Sequence, residues 1–336
     1  MKTTTIRHGL LALLVLWSAA QLPAKEETVA TAVYGRVGNG YKREKTKDGK
    51  LKPEYYALSN GGRVAGTSSD TTIDRVSYQE VADIAMKLLA GQNYHYAKSA
   101  DQAKLLLVLQ WGATLAPDGS QQDRNVAAHQ SAKTDLAGNM ENAVDKLVKS
   151  GFTQDEAREI VKNTLGGTGR SLFEATNEER AIAASAGAIE SNMFRTMVDN
   201  RVRDELNHRN AQVLGYIDDL ADSNDIRRYA GGGDRYADLI AEVEEGRYYI
   251  IVSAYDFPEL VKTQKKKLLW QTRVSVRSPG NAFDKSVAAM LKSASIYFGL
   301  NSGKLVRREE SKGSVELGDL KFLGEAKEQP KKDTKK

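Results

Sequence analysis

The segment 247–276 reads RYYIIVSAYDFPELVKTQKKKLLWQTRVSV, and the predicted sheet is built around it. Its first part, Tyr248 to Phe257, is a run rich in aromatic and β-branched residues. Its last part, Leu268 to Val276, alternates between two sets of side chains, which is typical of a half-buried strand. Pro258 and a lysine-rich stretch lie between them. The segment therefore predicts an antiparallel hairpin with one face in a core and one face in water.

Three other stretches predict strands beside this hairpin. The first, Thr28–Val37, is rich in Val, Thr and Tyr, and the second, Lys104–Trp111, is so apolar that we expect it to be buried on both faces. Residues 55–65 contain Asn60-Gly61-Gly62, a turn signal that predicts a short hairpin. The strands together predict a mixed or antiparallel sheet.

Two helices are predicted to cover one face of this sheet. Ser77 and Glu80 have the spacing of a capping box, in which each side chain bonds the backbone N–H of the other residue, and the helix Tyr78–Ala90 follows. A second helix, Phe283–Phe298, follows the hairpin and has apolar residues at helical spacing. The predicted class is therefore α+β, with a large helical insertion between the strands.

The helical insertion is predicted to span about 138–243. Capping boxes at Thr153–Glu156 and Thr176–Glu179 open two of its helices. The longest helix, Glu178–Leu214, would be about 50 Å long, which is more than one small core needs. Its predicted inward stripe comprises Ile182, Ala186, Ile189, Met193, Met197, Val198, Val202 and Leu206. Either this helix kinks or its far end packs on another chain, so a homo-oligomer formed through it is one expectation.

The N-terminus has the three parts of a secretory signal peptide. Lys2 and Arg7 precede an apolar run at 9–17 that is too short for a comfortable membrane span, and small residues follow. Cleavage is expected after Ala20 or Ala24, and an uncleaved N-terminal anchor is the alternative. No later run is long enough for a membrane helix, so we expect an exported protein, periplasmic or extracellular.

The predicted division of the chain has five parts. They are a signal peptide at 1–24, the first half of an α+β domain at 25–137, the helical insertion at 138–243, the second half of the domain at 244–324, and a lysine-rich disordered tail at 325–336.

Composition excludes several classes of function. The 336 residues include no cysteine, which rules out disulfides, zinc–thiolate sites and a cysteine nucleophile. The net charge of +5 falls to about +3 once Lys2 and Arg7 are removed with the signal peptide. That excess is too small and too dispersed to indicate a nucleic-acid partner.

The chain also lacks the familiar catalytic and metal-binding patterns. No Gly-x-Ser-x-Gly motif is present, and His95, His129 and His208 have no partner at metal-ligand spacing. The glycine-rich stretch 299–304 has the wrong length and context for a phosphate loop. We therefore predict no catalytic residue, no metal and no cofactor, and favour a binding protein over an enzyme.

Part of the chain resembles a family of small domains of unknown function in exported Gram-negative envelope proteins. The resemblance is carried by Leu88-Leu89-Ala90-Gly91-Gln92-Asn93-Tyr94, by the strand that follows it, and by Leu268-Leu269-Trp270. It covers about half of the chain. The chain departs from the family in its helical insertion of about a hundred residues and in lacking the lipid-acceptor cysteine that many members carry. The resemblance implies location and fold only.

The candidate ligand site lies on the face of the predicted hairpin that is expected to be exposed to solvent. Arg273 and Arg277, with Gln271, would bind an anionic glycan or a peptide carboxylate through forked hydrogen bonds. Trp111 would add a stacking surface, and Asp256, at the end of the first run, is included as a candidate. The alternative interpretation is an exposed sheet face beside a core tryptophan.

We interpret the sequence as that of an exported, non-enzymatic envelope protein that binds a partner or ligand. The expected partner is an envelope protein or a glycan. The alternatives are a hydrolase that acts on envelope polymer and a structural subunit that oligomerises through the helical insertion.

Overall fold

The computed structural model describes residues 27–64, 71–117, 119–164, 175–230 and 234–312. The predicted signal peptide and the predicted lysine-rich C-terminal tail lie outside these residues. The described residues form a seven-stranded mixed sheet with helices packed against it, which confirms the predicted α+β class.

The strands and helices occupy most of the described chain. The strands are β1 (Thr28–Val37), β2 (Glu54–Val64), β3 (Tyr94–Tyr96), β4 (Leu105–Ala113), β5 (Arg247–Asp256), β6 (Leu268–Arg277) and β7 (Val306–Ser311). The helices are α1 (Tyr78–Ala90), α2 (Gly119–Lys149), α3 (Gln154–Thr164), α4 (Asn177–Leu214), α5 (Ile217–Ala230), α6 (Asp234–Glu244), α7 (Phe257–Thr263) and α8 (Phe283–Ser295).

The predicted hairpin is the centre of the sheet. The strand order is β3-β2-β4-β5-β6-β1-β7, so β5 pairs with β6 on one side and with β4 on the other, both antiparallel. Ile250 lies opposite Trp111 of β4 and opposite Val274 of β6. The four longest predicted strands all belong to this one sheet, as predicted. The predicted water-exposed face of the hairpin is wrong for β5, because residues 247–254 are all buried and Tyr249 and Ile251 pack in a second apolar cluster.

The predicted short hairpin at residues 55–65 is wrong. These residues form one strand, β2, which runs parallel to β4 and shifts register between Asn60 and Arg63. Gly61 serves close packing there, because a Cβ at this position would lie 2.7 Å from Cγ1 of Val108 and 2.8 Å from the carbonyl oxygen of Leu109. A glycine pair that usually marks a turn here marks an irregularity within a strand.

Helices α1 and α8 cover one face of the sheet, as predicted. Ser77 and Glu80 form the predicted capping box at the start of α1. The core beneath the helices centres on Trp270, whose side chain is fully buried. Its ring stacks on Phe298 with centroids 5.6 Å apart and lies 6.0 Å from the ring of Tyr94. This face holds the largest cluster of buried apolar side chains in the described chain.

The helical excursion is longer than predicted, because it begins at Gly119 and not near residue 138. The first half of α2 was missed because few large apolar residues mark its buried side, where Asn125 and Ala132 lie instead. The capping boxes at Thr153 and Thr176 are present as predicted. We call α2 and α4, which pack against each other, the α2–α4 pair.

The end of the excursion packs on part of the opposite face of the sheet. Leu214 of α4, Tyr216 and Leu239 of α6 form a second buried cluster with Tyr34 of β1 and Tyr249 of β5. A third, smaller cluster at the other end of the α2–α4 pair joins Ala143, Val161 of α3 and Ile182. In the described residues, no helix is both long enough and apolar enough to span a bilayer.

Candidate functional site

Trp111 is a core residue and not a stacking surface for a ligand. Its side chain is only 3% exposed, and its ring stacks on Tyr78 of α1 with centroids 6.3 Å apart. Alternation along β4 places Leu107, Leu109 and Trp111 on the face that α1 and α8 cover. The alternative interpretation, a core tryptophan, is therefore correct, and Trp111 leaves the candidate site.

Asp256 lies at the opposite end of β5 from the helical excursion and has a structural role. Its carboxylate accepts a hydrogen bond of 3.0 Å from the backbone N–H of Glu259 and so caps α7. It also lines a cavity of 520 Å³ at the strand ends. The charged side chains that line this cavity are Lys42, Glu44, Lys52, Glu54, Lys104 and Asp256. Since cations and anions balance, the lining indicates no preference for a ligand of either sign.

Gln271, Arg273 and Arg277 share one face of β6, as predicted, but they do not converge on one point. Gln271 donates a hydrogen bond of 2.7 Å to Oγ of Ser253. Arg277, at the other end of the strand, is paired with Glu245. Both side chains thus already have partners within the chain, and Trp111 lies on the other side of the sheet.

Arg273 has a guanidinium nitrogen that no other group binds in the described part of the chain. It is half-buried, its Nε has no hydrogen-bond partner in the described part of the chain, and burial lowers its pKa. Tyr34 lies opposite it on β1 and donates a hydrogen bond of 2.5 Å to Asp218 of α5. The charge of Asp218 opposes the lowering of the Arg273 pKa, and its carboxylate is already hydrogen-bonded to Tyr34. This arrangement favours a structural polar cluster over a ligand site.

The Tyr34 hydroxyl gives this cluster a measurable alkaline signature. Burial, together with the hydrogen bond to Asp218, raises the pKa of Tyr34 to about 12, whereas an unfolded tyrosine ionises near pH ~10. The protonated hydroxyl of Tyr34 therefore stabilises the folded state fully below pH ~10, and this stabilisation is lost as the pH rises towards ~12. We expect the free energy of unfolding of Tyr34→Phe, measured by urea titration, to fall less over this interval than that of the wild type. Equal slopes would show that Tyr34 does not hold its proton in the folded state.

A second polar cluster, which the sequence did not reveal, lies where α6 meets the sheet. Arg247, Arg277 and Arg307 surround a cavity of 210 Å³ together with Glu242 and Glu245. Arg247 is only 5% exposed, yet its Nε donates to Oγ of Ser275 at 3.1 Å and its Nη1 lies 3.5 Å from Glu242. Glu242 of α6 pairs with Arg247 of β5 and with Arg307 of β7, so this cluster links α6 to the sheet.

The least expected surface is an apolar stripe on α4. The helical pattern predicts that Met193, Met197 and Val198 face inward, and it gives no signal for Phe194. In the structure all four are exposed: Met193 is 59%, Phe194 67%, Met197 62% and Val198 46% exposed. We call these four residues the α4 stripe. They expose on the order of 400 Å² of apolar surface, a size at which patches on monomeric proteins are often functional.

The α4 stripe is exposed because the inner side of α4 is used for polar contacts. At the level of the stripe, Asn125 of α2 donates to Asp199, and Asn192 donates to the carbonyl of Ala128 at 3.2 Å. The contact between α2 and α4 shows the same pattern nearer the start of α4, where Asn139 donates to Oγ of Ser185 at 2.7 Å. The middle of the α2–α4 pair therefore has polar groups inside and large apolar groups outside, the reverse of the usual arrangement.

In the described residues no group of three or more His, Asp or Glu side chains is arranged to hold a metal ion. The α4 stripe is the surface whose composition most requires an explanation, because four large apolar side chains are exposed there. No family model matches the chain, and a comparison with curated proteins finds none that is similar to it.

Proposed function

We propose that the protein is an exported, non-enzymatic envelope protein that works by binding a protein partner on the α4 stripe. The observation that carries this proposal is the exposure of Phe194, 67%, and Met197, 62%, beside a polar internal seam. Exposed aromatic and methionine side chains are the residue types enriched in protein interfaces. Export is supported by the sequence of residues 1–24, which has the charge and length of a cleavable signal peptide.

A protein partner fits the stripe better than a glycan does. The stripe presents two methionines, one phenylalanine and one valine, and sugars are instead held by polar side chains around a flat aromatic surface. A methionine-rich surface adapts its shape to another apolar surface at low cost. The binding mode is thus the apolar face of a helix against a second protein.

Site-specific photocrosslinking tests this proposal. A photoreactive phenylalanine analogue replaces Phe194 in the full chain, expressed in cells that export it, and the same analogue replaces Val261 as a control. Val261 is 60% exposed on α7, away from the stripe. We expect a discrete crosslinked product from position 194 and none from position 261.

The same sample reports the location of the protein. We expect the crosslinked protein in the periplasmic or secreted fraction, with a mature N-terminus at Gln21 or Lys25 as determined by mass spectrometry. Illumination without any product at position 194 would mean that the stripe stays uncovered, and partner binding there would be abandoned. A full-length chain in the cytoplasm would rule out export.

A further inference from the structure

We propose that the partner on the α4 stripe is a second copy of this chain, bound antiparallel through α4 about a two-fold axis between Arg195 and Thr196. This inference rests on the proposed function, since it names the protein that the stripe binds. Four exposed residues, Glu190, Phe194, Met197 and Arg201, carry the argument.

These four residues follow the spacing of a helix–helix seam. Their separations of four, three and four residues are those of successive core positions in a coiled coil, so they lie on one narrow line along α4. Met193 and Val198 flank this line and complete the α4 stripe. The line therefore has an apolar centre with one acidic end and one basic end.

An antiparallel pairing makes this line complementary to itself. When Phe194 of one copy lies level with Met197 of the other, the same symmetry places Glu190 level with Arg201, and it does so twice. Two ion pairs then close the two ends of an apolar centre. A parallel pairing would instead place Glu190 against Glu190 and Arg201 against Arg201, so the charges select the antiparallel orientation.

Both charged residues are available for such pairs. Glu190 and Arg201 are exposed, and neither has an ion-pair partner in the described part of the chain. Their neighbours Glu205 and Arg209 do pair with each other along the helix, at 4.0 Å. The two charges that the symmetry brings together are thus two that form no ion pair among the residues that the structure describes.

The buried area predicts a weak dimer. Two stripes of about 400 Å² each, with the flanking charges, would bury on the order of 1,000 Å² in total, at the lower limit for a specific interface. Self-association should therefore depend on concentration, with half-dissociation in the micromolar range, and not be obligate.

Charge reversal tests the orientation by sedimentation velocity over a range of concentrations of the mature full chain. Glu190→Arg places like charges together at both ends, and so does Arg201→Glu, so each variant should self-associate about tenfold more weakly than the wild type. A mixture of the two variants should form a heterodimer, because each Arg of one then meets a Glu of the other. The double variant should also recover self-association.

Arg195→Glu is the matched control. It makes the same charge change as Arg201→Glu on the same helix, but Arg195 lies off the line that runs from Glu190 to Arg201. It should dimerise like the wild type, and circular dichroism melts should show that all variants stay folded. A wild type that is monomeric at every concentration would overturn the inference. So would two single variants that dimerise normally, or a mixture that does not associate.

Failure of this inference can be told apart from failure of the proposed function. If the crosslinked product at position 194 has the mass of one chain plus a different protein, the stripe binds a partner but not a second copy. If that product has twice the mass of the chain and the charge-reversed variants behave as expected, both proposals stand.

Discussion

Trp270→Ala is expected to lower the free energy of unfolding by about 4 kcal/mol, a large part of the stability of a typical domain. The Trp270 side chain is fully buried at the centre of the sheet, between the rings of Phe298 and Tyr94. Its removal leaves a cavity that β6 and α8 cannot close, because backbone hydrogen bonds fix the strand in the sheet. Urea unfolding followed by circular dichroism measures the change.

Val261→Ala is the control for this substitution. Val261 is 60% exposed on α7, so its truncation should change the free energy of unfolding by less than about 0.5 kcal/mol. The loss of unfolding free energy for Trp270→Phe should lie between those for Trp270→Ala and Val261→Ala, because the variant keeps an aromatic ring in the site. A loss below about 1 kcal/mol for Trp270→Ala would contradict the placement of this residue in the core.

Asp219→Ala is expected to lower the free energy of unfolding by about 3 kcal/mol, because the Asp219 side chain binds two partners at once. Asp219 is 4% exposed at the start of α5. One carboxylate oxygen accepts from the backbone N–H of Leu305 at 2.8 Å, and the other accepts from Arg235 of α6 at 2.5 Å. Without the carboxylate, the buried N–H of Leu305 loses its partner and α6 loses an anchor.

Asp222→Ala on the same helix is the matched control. Asp222 is exposed, so Asp222→Ala should change the free energy of unfolding by less than about 0.5 kcal/mol. Hydrogen exchange adds a local readout, since Asp219→Ala should speed exchange at Leu305 and along β7 while leaving β4 protected. Equal effects of the two substitutions would mean that the hydrogen bond to Leu305 contributes nothing.

Local patterns predicted those features that depend on neighbouring residues alone. Alternation and β-branched content predicted β1, β5 and β6, and a continuous apolar run predicted β4. The spacing of Ser77 to Glu80 predicted the start of α1. The sequence also predicted that Gln271, Arg273 and Arg277 share a face. Each of these follows from backbone geometry with a fixed period of 2 or about 3.6 residues.

The same patterns did not show which face of an element would be covered. Met193 and Met197 fit an apolar stripe, and the natural prediction turned them inward, yet α2 packs against the polar side of α4. The first half of α2 was missed for the related reason that its seam contains Asn125 and Ala132 in place of large apolar residues. Helix-helix contacts made by amide side chains leave no hydrophobic period to detect.

Patterns within short segments were enough to predict the class of fold, the central hairpin and the capped ends of several helices, because hydrogen-bonding geometry and side-chain alternation act over a few residues. The folded structure was needed to show that Trp111 is a core residue, that Arg277 is paired with Glu245, that Asp219 is buried and that the α4 stripe is exposed. Those outcomes depend on contacts between residues far apart in the chain, and burial and ion pairing are properties of those contacts and not of the residues that make them.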